Sequence, residues 1–209
     1  MRSFAYLEDA RNQILSIDDN DSGAKAAVKF SVSAVEAFLN EFCQFGIGYE
    51  KHNHAIQNPM VKMAKELEEA EGGRASLKKK VQVAYESLSG KTFEKGGIPV
   101  FQRFSIVVDV RNELAHPKAS VLDLSGGSIE PPKFEKLLIS KLKSNGFGKS
   151  NNSYDWVTII DNKDFAIWAY QACIGVIGLV IEQIPYKEAI ESYKNMYSVN
   201  MPNPKQWLN

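Results

Sequence analysis

Between Val28 and Phe42 the apolar positions Val28, Val32, Val35, Leu39 and Phe42 are spaced four, three, four and three. That repeat lines one face of a helix, with Ser22 as its N-cap and Gly46 as its stop. The same pattern predicts an earlier helix over residues 3–16, and two shorter ones over 58–71 and 74–89 joined at Gly72-Gly73. Next comes "IPVFQRFSIVVDVRNELAH". Its β-branched residues would suit a strand, but its length and three/four spacing predict a helix with Pro99 in the first turn. From residue 117 to 162 the texture changes. Gly126-Gly127 and Pro131-Pro132 precede a lysine-rich helix, "KFEKLLISKLKS", and "NGFGKSNNSYDWVTIID" reads as a loop leading into a short strand or small hairpin. A long apolar helix over 164–184 ends at Pro185, and "YKEAIESYKNMYS" forms a last amphipathic one. The expected fold is all-α: one domain over 1–209, an antiparallel helical bundle with a loop and β-hairpin insertion at 117–162.

Composition narrows the partners. Lysine plus arginine equals aspartate plus glutamate, 25 each in 209 residues, so no global field attracts nucleic acid or an anionic membrane, and any polyanion site must be local. Cys43 and Cys173 lie inside apolar helical runs, which predicts buried free thiols rather than a disulfide. The start "MRSFAYLEDARNQ" lacks the apolar core of a secretory signal, so a reducing cytoplasm is the expected compartment. Phe165 to Ile181 carries no charge, but it sits at the short limit for a membrane span and contains Gln171 and two glycines. A buried central helix is expected there, and no membrane partner.

Two further motifs lack part of the pattern their chemistry needs. "GFGKS" at 146–150 has Lys143 where a phosphate loop needs its first glycine, and His52 and His54 form a spacing that suits a metal only with further ligands; no metal or other cofactor is expected.

The informative stretch is "VVDVRNELAHPKAS", residues 107–120. On a helical wheel centred on Phe104, the residues Val100, Phe101, Val107, Val108, Leu114 and Ala115 share an apolar stripe. Gln102, Ser105, Asp109 and Glu113 lie opposite. Arg111 falls in the middle of the stripe. A guanidinium cannot shed its charge to suit dry surroundings, so it requires a carboxylate, a carbonyl, a subunit boundary or a bound anion. An internal ion pair with Glu36 or Asp109 would satisfy it, as would an anion. His116 lies about 140° round the helix from Arg111, but Pro117 disfavours helical backbone at the residue before it, so the helix should end at His116 and free its ring. Alternatively the two side chains meet across a dimer.

An arginine and a histidine at one spot suit phosphoryl chemistry without a metal. His116 could take a proton from a ribose 2′-hydroxyl or give one to a leaving oxygen, Arg111 would hold the charge developing on phosphorus oxygens, and Asn112 could orient ring or substrate. "RNELAH" resembles the arginine, polar residue, histidine signature of the HEPN superfamily, and "SVSAVEAFLNEF" is similar to its first conserved helix. The resemblance implies a helical bundle that forms a homodimer around one composite cleft and acts as a metal-independent endoribonuclease, often in toxin–antitoxin, abortive-infection or RNA-processing systems. RNA is then a partner, as is a neutralising protein. The catalytic residues become Arg111, His116 and Asn112, with Glu36 and Asn40 facing them from the second helix. Because members of this superfamily also bind without cutting, a non-catalytic RNA- or protein-binding module is the second expectation.

Overall fold

The structure, a computed structural model, describes residues 1–17, 23–51, 58–116, 133–148 and 155–200. Among these, nine α-helices and one 3-10 turn form the molecule, with no strand.

Helices α1 (Arg2–Leu15) and α2 (Gly23–Lys51) form an antiparallel hairpin. The beginning of α1 meets the later part of α2, where buried Ser3 donates its hydroxyl to Glu41 Oε2 at 2.6 Å. At the other end Gly23 lies against Gln13 and Ile17. The predicted stop at Gly46 is not one, since α2 continues for five residues beyond it. Tertiary packing requires the glycine instead: a Cβ there would fall 2.6 Å from Ala64 Cβ and overlap the Met60 carbonyl oxygen. Gly46 is thus the close-approach point between α2 and α3 (Pro59–Gly72). Asn58 caps α3 by accepting from the Met60 amide at 2.9 Å. Ser76 caps α4 (Leu77–Ser89), and Gly90, at φ +68°, ends it in the left-handed region that favours glycine.

Helix α5 (Pro99–Ala115) begins on its proline and ends where Pro117 predicts, with His116 out of helical conformation at φ −137°, ψ 68°. Its burial is broader than the wheel implies. Ile106, Val110 and Glu113 are buried, and Ala115 is exposed. The helix meets α2, α4 and α8, and α6 (Lys133–Ser144) lies across part of the side expected to face solvent. Leu138, Ile139 and Leu142 carry α6 into the shared core.

The strand or hairpin expected in "DWVTIID" is absent among the described residues. Trp156–Ile160 is a short helix, α7. Asp155 caps it, accepting from the Val157 amide at 3.0 Å and the Thr158 hydroxyl at 2.9 Å, and Trp156, Ile159 and Ile160 are buried. A side-chain cap and one buried face outweigh the strand preference of Val, Thr and Ile. Residues 117–132 and 149–154 of the expected insertion lie outside the described residues.

Helix α8 (Lys163–Ile181) is apolar and long enough to cross a membrane, and in this fold it runs through the core. Phe165, Tyr170, Cys173, Val176, Ile177 and Val180 are buried on it, against α1, α2, α4, α5 and α9. Helix α9 (Lys187–Asn200) places Tyr193 edge-on to Phe42 and Phe45 of α2. Both cysteines are buried free thiols. Burial raises the Cys43 thiol pKa, aided by Glu68, and raises that of Cys173 strongly.

Candidate functional site

The α2 repeat that buries Val32, Val35, Leu39 and Phe42 leaves Glu36 on the flank of that helix. There its Oε1 forms an ion pair with Arg111 Nη2 of α5, 75 residues later in the chain. The pair is not sealed, since the Arg111 side chain keeps 23% of its exposure and Glu36 keeps 42%. Arg111 is two-sided. Its Nε is buried without a hydrogen-bond acceptor, and its charge lowers the pKa of the buried Cys173 thiol against the larger upward push of burial. Arg111 lines an open cleft of about 430 Å³ together with Glu36, Ser76, Leu77, Lys78, Val108, Asp109 and Asn112.

A second charge cluster adjoins the pair. Asp109 accepts from Lys78 Nζ of α4 at 2.6 Å and from Lys141 Nζ of α6 at 3.2 Å. One carboxylate therefore ties three helices together beside Arg111. Neither lysine run marks these two residues as Asp109 partners, because the signal is a distance between helices rather than a spacing in sequence.

The five residues singled out in sequence do not all converge. Arg111, Asn112 and Glu36 share the cleft. Asn40, exposed one turn along α2, shares with Glu36 a smaller cleft of about 240 Å³ that also touches Glu71 and Lys80, and a larger one of about 740 Å³ towards α1. His116 stands exposed at the end of α5, and its ring makes no hydrogen bond or ion pair among the described residues. It does not line the Arg111 cleft. Within one chain, then, the guanidinium meets an internal acid and the imidazole faces solvent.

Of the other motifs, Gly146 and Gly148 have φ of +97° and +71°, and Phe147 between them packs edge-on against Phe165 and Trp168. Their glycines serve a tight turn after α6. Lys149, Ser150, His52 and His54 lie outside the described residues.

Comparison with protein-family models, with curated proteins and with solved structures returns no match to this chain.

Proposed function

We propose that this chain is a metal-independent endoribonuclease of HEPN type, cleaving RNA in a cleft completed by a second copy of itself. The observation that carries the reading is the position of Arg111. A permanent cation is half-buried on the wall of an open cleft, next to Asn112 and paired with a carboxylate that remains partly exposed to solvent. A phosphodiester can take over the outer face of that guanidinium with little rearrangement.

The chemistry follows from the groups available. The imidazole of His116 removes the proton of the ribose 2′-hydroxyl as its oxygen attacks phosphorus, and the phosphorus–O5′ bond breaks. A protonated imidazole, which the second copy's motif can supply, delivers a proton to the leaving 5′-oxygen. The products are a 2′,3′-cyclic phosphate and a 5′-hydroxyl. Arg111 stabilises the charge on the non-bridging oxygens, and Asn112 orients the phosphate. Dimerisation supplies what one chain lacks, since His116 lies at the exposed tip of α5 rather than in the cleft of its own Arg111. DNA, without a 2′-hydroxyl, is bound but not cut. The reading places the protein in the cytoplasm, in a toxin or abortive-infection setting with a protein that neutralises it.

The test is cleavage of single-stranded RNA in EDTA by wild type and His116→Ala. Wild type should yield cyclic-phosphate ends, and the variant should lose about 10²–10⁴-fold in rate. Cutting that requires added metal, or full activity in the variant, would falsify the proposal.

The Arg111–Glu36 pair itself favours a second reading, a non-catalytic RNA- or protein-binding module in which Arg111 joins α5 to α2. It predicts that His116→Ala changes nothing while Arg111→Ala lowers the melting temperature.

A further inference from the structure

A cleft separate from the Arg111 site lies between the first half of α5 and the end of α6, with a volume of about 560 Å³. Lys95, Arg103 and Lys141 line it together with Gln102, Ser144 and Asn145, and among the described residues no carboxylate does. In a chain whose charges balance overall, three cations around one concavity is a local excess. Lys141 is engaged with Asp109, but Lys95 and Arg103 are exposed and pair with no carboxylate among the described residues. Like charges facing a shared cavity raise each other's energy, and a bound anion relieves this.

One ion pair links this cleft to the Arg111 site. Asp109 lines the Arg111 cleft and holds Lys141, which lines the cationic one. Along α5, Arg103 precedes Arg111 by eight residues, about 12 Å at the rise of an α-helix. A strand whose phosphate docks at Arg111 can therefore continue over the Asp109–Lys141 bridge towards Arg103 and Lys95.

We infer that the Lys95/Arg103/Lys141 cleft is a second phosphate-binding site, holding the backbone of the same single-stranded RNA away from its scissile bond. This rests on the ribonuclease reading for the identity of the strand, and for the site on the exposed Lys95 and Arg103, which have no ion pair among the described residues. Pro99, Phe101 and Ile106 complete the lining, but Phe101 is buried and gives no exposed aromatic platform, so the cations and small polar groups bind phosphate without selecting bases or the sugar.

The experiment uses the full chain carrying His116→Ala, with labelled ten-nucleotide RNA and DNA of one sequence and the corresponding dinucleotides. Adding Lys95→Ala and Arg103→Ala should weaken both ten-nucleotide ligands about tenfold at low salt, and should make the salt slope shallower by about 1.4, at about 0.7 per lost contact. The affinity advantage of ten nucleotides over two should shrink. Arg103→Lys, with Lys95 intact, should restore most of the binding, which a folding defect would not allow. Unchanged affinity and slope, a loss independent of salt, or an equal loss on the dinucleotides overturns the inference. If wild type still cuts RNA in that case, the ribonuclease reading stands. A wild type that neither cuts nor binds RNA removes the reading and this site with it.

Discussion

Arg111 illustrates how one side chain can be fixed at its base and available at its tip. Its Nε is enclosed near α8 while a terminal nitrogen meets a half-exposed carboxylate. Glu36→Ala should therefore cost about 1–2 kcal/mol in a urea titration, below the 3–5 kcal/mol of a sealed pair, because water can replace the lost acid. If Arg111 serves a phosphodiester as proposed, Glu36→Ala also frees it for anions, and RNA affinity should rise while stability falls. Tyr170 gives a sharper expectation. It is fully buried, and burial pushes its phenol up to about 12, with Arg11 acting in the opposite direction. The unfolded phenol ionises near 10, so between pH 10 and 12 unfolding releases a proton and stability falls as pH rises. The raised Cys173 thiol acts with the same sign from about pH 9 upward. Urea midpoints measured from pH 8 to 11 should decline, and Tyr170→Phe should make the alkaline end of that decline shallower.

Among the elements, α2 and α5 show how far a hydrophobic repeat reaches. The Val28–Phe42 spacing describes the buried face of α2 and leaves Glu36 and Asn40 on its flank. It does not describe where α2 stops, because Gly46 reads as a terminator in sequence and acts as a contact surface in the fold. Gly46→Ala adds helix propensity yet collides with Met60 and Ala64 of α3, so it should destabilise by about 1–3 kcal/mol in thermal or urea melts. In α5 the wheel assumes one buried side, whereas α6 covers part of the other, and Glu113 becomes buried. The "DWVTIID" segment misleads for a related reason: β-branched composition suggests a strand, but the Asp155 cap and the buried Trp156 and Ile160 make a helix.

At the scale of the whole molecule, the apolar helix α8 is the central post of the bundle. A helix of this composition separates from detergent only if its neighbours cover it, and α1, α2, α4, α5 and α9 all meet it. The purified chain should stay in the aqueous phase of a detergent partition; movement into the detergent phase would contradict α8 as a core helix. The proposed composite site further requires association, so sedimentation should give a species of about twice 23.3 kDa, and substitutions at the α5 tip that abolish dimers should abolish cutting.

Helical class, most helix positions, the start of α5 at Pro99, its end before Pro117 and the anomaly of Arg111 were all written in residue spacing, because local backbone preference and the 3.6-residue period act within a few residues. Which acid answers Arg111, how Asp109 gathers Lys78 and Lys141, and why Gly46 is needed depended on helices far apart in the chain. Those contacts are set by the crossing of packed surfaces, which no local spacing encodes.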